Sequence, residues 1–101
     1  MKVRYHPDAR AELLDAVEWY EERRPMLGAD FLTEMRRAET MIARRPAAWP
    51  RWPSVVVDVR RFKLARFPYC VAFQVAGDEI AVIAVAHQKR APFYWQDRAR
   101  P

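Results

Sequence analysis

The chain has 101 residues, is 51% hydrophobic and 13% aromatic, and carries a formal net charge of +5, which excludes disorder and fits one domain, 1–101, able to bury a modest core without staples. Cys70 is the only cysteine, so no intrachain disulfide is possible and a reducing, cytoplasmic compartment is expected, with no apolar leader and no run of ~18 apolar residues to cross a membrane. Gly28 and Gly77 are the only glycines, Ser54 the only serine, and His6 and His87 lie far apart, so phosphate loops, serine hydrolysis and a metal site lack their residues, and no cofactor is expected.

The pattern begins with Lys2 to Tyr5, a short alternating stretch with Val3 and Tyr5 on one side, consistent with a strand. His6-Pro7 marks a boundary, since proline at the first helical position gives up an N–H that would be unpaired there anyway. Ala9, Leu13, Ala16, Val17 and Tyr20 then recur at helical spacing, with Glu12, Asp15, Glu18, Glu22 and Arg23 expected to face water. Trp19 falls off the stripe. Arg23-Arg24-Pro25 closes the helix with basic groups at its negative pole. A second stripe follows in Leu27, Phe31, Met35, Ala38 and Ile42, ended by Arg45-Pro46. Two amphipathic helices on a short link predict an antiparallel helical hairpin.

Pro46 to Pro53, with three prolines and two tryptophans, reads as a rigid loop. Val55 to Leu64 alternates and predicts a basic strand. With Phe62 and Leu64 toward the helices, Arg61 and Lys63 share the opposite face. Tyr69 to Ala76 and Ile80 to Ala86 are two further strands joined by a Gly77-Asp78 turn. Tyr69, Val71, Phe73 and Val75 form the apolar parity of the first, so Cys70, Ala72 and Gln74 line the face that holds Arg61 and Lys63. The last strand is apolar on both parities, as a central strand covered on both sides would be. The tail after Pro92 is a short helix or an arm. The expected fold is α+β, β-α-α-β-β-β, with the hairpin packed on a small antiparallel sheet.

Charge is distributed unevenly. Residues 1–50 carry nine basic and nine acidic side chains, residues 51–101 nine and four, so the excess lies in the second half. Arg60, Arg61, Lys63 and Arg66 precede the hairpin and His87, Lys89, Arg90, Tyr94 and Trp95 follow it. Such an arrangement concentrates positive potential on one face and suits a polyanion or an acidic partner, in particular an acidic segment that folds on binding. Arg60, Arg61, Lys63, Arg66, Lys89, Arg90, Tyr94 and Trp95 are candidates for target binding. Each also has a plainer reading: solvated strand charge for the cations, packing of the tail for Tyr94 and Trp95, and a hydrogen-bonded strand end for His87. Cys70 is a small strand residue before it is a nucleophile.

In order and spacing, HPDARAELLDAVEWYEER, IARRPAAWP, VRRFKLARFPY and AVAHQKRAPFYW resemble the RelE/ParE toxins of bacterial type II toxin–antitoxin systems, often known through plasmid stabilization. The resemblance spans nearly the whole chain. It implies a compact growth-inhibiting toxin and a cognate antitoxin that wraps it. It also implies one of two activities: RelE-type cleavage of mRNA in the ribosome, or ParE-type inhibition of DNA gyrase by binding. RelE-type chemistry needs a base, an acid and cations around a charged phosphorane. Carried over residue by residue, its lysine pair falls on Arg61 and Lys63 and its C-terminal tyrosine on Tyr94. Its arginine after the third-strand tyrosine falls on Cys70, and its arginine past the last strand on Gln88, or on Lys89 with a one-residue slip. With those cations absent or displaced, the resemblance favours the ParE-like binding inhibitor. A modified endoribonuclease using His87, Arg61, Lys63, Arg66 and Tyr94 is the alternative, and an inactive antitoxin-binding module a third.

Overall fold

The computed structural model describes residues 1–53 and 57–101. Its elements are β1 (Lys2–Tyr5), α1 (Pro7–Arg23), α2 (Leu27–Arg44), β2 (Arg60–Lys63), β3 (Tyr69–Ala76) and β4 (Glu79–His87), with 3₁₀ turns at Pro46–Ala48 and Gln96–Arg98. This is the expected α+β order. The sheet runs β1-β4-β3-β2. Its three later strands are antiparallel, and β1 adds a parallel edge on β4, from Lys2 opposite Glu79 to Tyr5 opposite Val82. The sheet is therefore mixed, because the chain leaves β1 through the hairpin and returns to the far edge.

His6 caps α1, its imidazole Nδ1 accepting from the Asp8 N–H at 3.1 Å, and Pro7 takes the first helical position. No side chain of its own caps α2. Glu21 of α1 supplies the cap instead, its carboxylate accepting from Met26 N and Gly28 N, both at 3.0 Å. Gly28 also lets the helices meet: a Cβ there would stand 2.6 Å from the Val17 carbonyl oxygen. The β3–β4 hairpin turns on Gly77 at φ 64°, a conformation glycine adopts without steric cost.

The stripes of both helices cover one face of the sheet. Leu13, Phe31, Met35 and Ile42 pack on Phe62, Val71, Phe73 and Val85. Edge-to-face contacts link Phe31, Phe67, Tyr20 and Tyr69. The parities expected for β2 and β3 are the observed ones. Along β4 the register slips: Ala72 faces Ala84 while Phe73 faces Val82, so Ile83 is extra. The bulge sends both Ile83 and Ala84 to the second face and returns Val85 to the helix side.

Two expectations need correction. Among the described residues the basic strand is Arg60–Lys63, shorter than the expected Val55 to Leu64, of which Val55 and Val56 lie outside the described residues. Immediately before Arg60 the backbone is taken up by the proline loop, with Trp52 N donating to Val59 O at 2.9 Å and Arg61 N to Pro50 O at 3.0 Å. The second correction is Glu12, expected in water and found with its side chain only 14% exposed. Strand β1 stops at Tyr5, so among the described residues the edge of β4 beyond Val82 has no neighbouring strand. There the Glu12 carboxylate accepts from Val85 N at 2.9 Å, and Arg98 Nη1 donates to Ile83 O at 3.0 Å. The two side chains pair with each other and continue the ladder where the backbone ends.

Candidate functional site

The second face of the sheet is shared between cover and opening. The tail covers one part: Trp95, 2% exposed, packs with Val59, Ala72, Ile83 and Ala84. Gln74 locks the chain end, its amide donating to Arg100 O at 2.7 Å and its carbonyl accepting from Arg100 N at 2.8 Å. The tail turns at Phe93, which stands at φ 64°. Toward β2 the face opens into a cleft of roughly 740 Å³, whose lining includes Arg61, Lys63, Cys70, Gln88, Trp49 and Trp52. Strand pairing builds this side of it, with Arg61 opposite Ala72 and Lys63 opposite Cys70.

The candidate residues divide by their partners. Arg61 and Lys63 are exposed on the cleft, the Arg61 guanidinium 5.3 Å from the Trp52 ring centre. Neighbouring Arg60 is engaged structurally: it donates to Ala47 O and Trp49 O at 3.2 and 2.7 Å and pairs with Asp58 at 3.5 Å. Arg66 meets Asp30 at 3.6 Å. Arg90 lies 3.9 Å over the Tyr94 ring. Lys89 is exposed, and its backbone N–H donates to His87 Nδ1 at 3.0 Å. The His87 ring packs edge-on against Tyr69. Tyr94 donates to Glu12 Oε2 at 2.8 Å, and Trp95 is enclosed in the second core.

Arg61 and Lys63 are thus brought together with the two positions where cations were missed, Cys70 and Gln88. His87 and Tyr94 do not line that cleft; they meet with Arg90 around a smaller hollow beside the tail, which Cys70 and Gln88 also line. Burial pushes the Cys70 thiol up to about 11, against the pull of Arg61 and Lys63, so it is a neutral wall at physiological pH. Burial and the Glu12 carboxylate also raise the Tyr94 hydroxyl well above its ordinary value, keeping it a proton-bearing donor.

Sequence reasoning missed Glu12 and Arg98 as the hub of the tail, and Trp49 and Trp52 as walls of the cleft. A glutamate near a helix start reads as dipole compensation. The one available signal for the cleft was the density of tryptophan and proline in 46–53. Among the described residues no cluster of potential metal ligands occurs, and no helix is long and apolar enough to cross a membrane.

Comparison with known proteins places the architecture. The model of a family described as "ParE toxin of type II toxin-antitoxin system, parDE" matches residues 3–92. The fold is similar, at a TM-score of 0.73 and 22% identity, to a chain of the "Chromosomal ParDE TA system from P. aeruginosa", covering 86% of this chain and 95% of that one. No curated protein matches the sequence.

Proposed function

The chain belongs to the ParE toxin family of type II toxin–antitoxin systems, and on that premise we propose that it arrests growth by binding an essential target, with DNA gyrase the leading candidate, and that a cognate antitoxin neutralises it in the cytoplasm. The observation carrying this reading is the composition of the β2 cleft. Arg61 and Lys63 project there beside a neutral thiol and a neutral amide, Cys70 and Gln88. A phosphorane would meet two of the expected cations instead of four, and one lost transition-state donor typically costs ~10²–10³ in rate. Of the proton-transfer candidates, Tyr94 donates to Glu12, and neither it nor His87, whose Nδ1 accepts from the Lys89 N–H, lines the cleft. A binding surface needs only that the cations be accessible.

Expression of the chain alone, with plasmid topology and mRNA integrity followed in the same culture, tests the proposal. Loss of negative supercoiling before any mRNA loss is expected. Ribosome-associated mRNA cleavage appearing first contradicts it and favours the endoribonuclease. Unimpaired growth contradicts both and leaves an inactive antitoxin-binding module. Co-expression with the neighbouring reading frame should restore growth.

A further inference from the structure

A separate hollow of roughly 420 Å³ opens between α1 and the end of the β3–β4 pair, and it shares no lining residue with the β2 cleft. Small-molecule sites commonly enclose about 300–1,000 Å³. Asp15 on α1 and Arg90 beyond β4 stand on its walls, both exposed. Neither enters an ion pair among the described residues, with the other or with any third group. Arg90 stacks over Tyr94 at 3.9 Å, a contact that uses the guanidinium face and leaves its in-plane N–H groups to donate. Glu12 also reaches the hollow, but its charge is met by Arg98, which donates to both carboxylate oxygens at 3.0 Å.

The same walls carry neutral polar groups without partners. The Tyr20 and Tyr69 hydroxyls bond to nothing among the described residues, and burial raises the pKa of both, so each keeps a proton to donate. His87 Nδ1 accepts from the Lys89 N–H, which leaves the Nε2 proton of the neutral ring as a donor. Apolar surface comes from Val85 and from Trp19, which is 49% exposed although Arg23 lies over its ring at 3.7 Å.

With Glu12 neutralised, one negative and one positive group remain for an occupant. An anion alone, phosphate or a nucleotide, would be opposed by Asp15, and a cation alone by Arg90. A zwitterion satisfies both, its ammonium donating to Asp15 and its carboxylate accepting from Arg90, each a charge-assisted bond. We propose that this hollow binds a free α-amino acid with an apolar side chain, which covers Trp19 and Val85 and ties α1 to the segment after β4. The site does not depend on what the β2 cleft binds.

L-Leucine is the probe, followed by calorimetry and by the Trp19 indole N–H resonance, assigned with Trp19→Phe. Saturable movement of that signal at millimolar leucine is expected, with the Trp49 and Trp52 signals unmoved. N-acetyl-leucine, which lacks the ammonium, and leucinamide, which lacks the carboxylate, should each bind about tenfold more weakly. Asp15→Asn should weaken leucine about tenfold and leave N-acetyl-leucine unchanged, and Arg90→Gln should weaken leucine likewise and leave leucinamide unchanged. Both side chains are exposed, so the melting temperature should hold, and the comparison of analogues on the unaltered chain needs no variant. No saturable movement at tens of millimolar leucine, an equal response to either analogue, or leucine affinity unchanged in both variants would each overturn the proposal.

Discussion

On the helix side of the sheet, Phe31, Met35 and Ile42 close over Phe62, Val71 and Phe73, and closure comes from apolar area and aromatic edges. On the other side, one large residue, Trp95, covers small ones, Ala72 and Ala84, and the tail is held by paired polar groups, Glu12 with Arg98 and Gln74 with Arg100. A helical hairpin has enough surface to bury a sheet face by hydrophobic association. A short tail has not, so it anchors where backbone groups of β4 lack a strand. The contrast teaches where function has room. The first face is mostly spent on stability, whereas the second is closed only as far as the tail reaches, leaving Arg61 and Lys63 open beyond it.

The strongest way to break the comparison is to remove one key residue from each face. Phe31→Ala, at a fully buried site, should cost about 3–5 kcal/mol in urea unfolding. Glu12→Ala should cost about 3 kcal/mol, because Val85 N loses its acceptor and the shielded Arg98 keeps only the longer contact with Asp8 at 3.8 Å. The two differ in what else they change: Glu12→Ala should speed amide exchange in the tail and around Ile83 while α2 stays protected. Replacing both partners by apolar residues should not restore stability, since Val85 N and Ile83 O would lose their acceptor and donor. Recovery in that double variant would reduce the latch to an ordinary ion pair.

How far these features were legible follows from the same physics. Helical periodicity exposed Leu13, Phe31 and Ile42, and alternation placed Arg61, Lys63 and Cys70 on one face, because local spacing determines which side a residue takes. The hub joining Glu12 to Arg98 spans 86 positions, and no local pattern marks such a partner. The bulge at Ile83 escaped because β4 is apolar on both parities, so a one-residue slip leaves no trace. The true start of β2 escaped because its approach is shaped by the Pro50–Trp52 backbone rather than by its own alternation.

Smaller effects sharpen the contrast. Gly28→Ala brings a methyl against the Val17 carbonyl and should cost about 1–3 kcal/mol, with the hairpin angle changed and the tail untouched. Cys70 offers a pH test of the half-open face. With its thiol pushed up to about 11 by burial, roughly one molecule in a thousand is thiolate at pH 8, so iodoacetamide should react far more slowly with folded than with unfolded protein. Its folded pKa lies above its ordinary value of 9.0, so its contribution to stability is full below about pH 9 and lost as pH rises to about 11. Fast alkylation at pH 8 would mean that the face is more open than described. Smallest in stability is Arg61→Gln with Lys63→Gln, under about 1 kcal/mol, since exposed charges contribute little.

That last variant, folded but altered on the open face, serves the most direct measurement: inhibition of DNA supercoiling by purified gyrase, titrated with the wild-type chain and with the Arg61→Gln, Lys63→Gln variant. The account predicts inhibition by the wild type and a loss of about tenfold or more in the variant at unchanged melting temperature. Equal inhibition by both proteins would show that the cations of β2 are solvated charge, and no inhibition by either would contradict gyrase as the target.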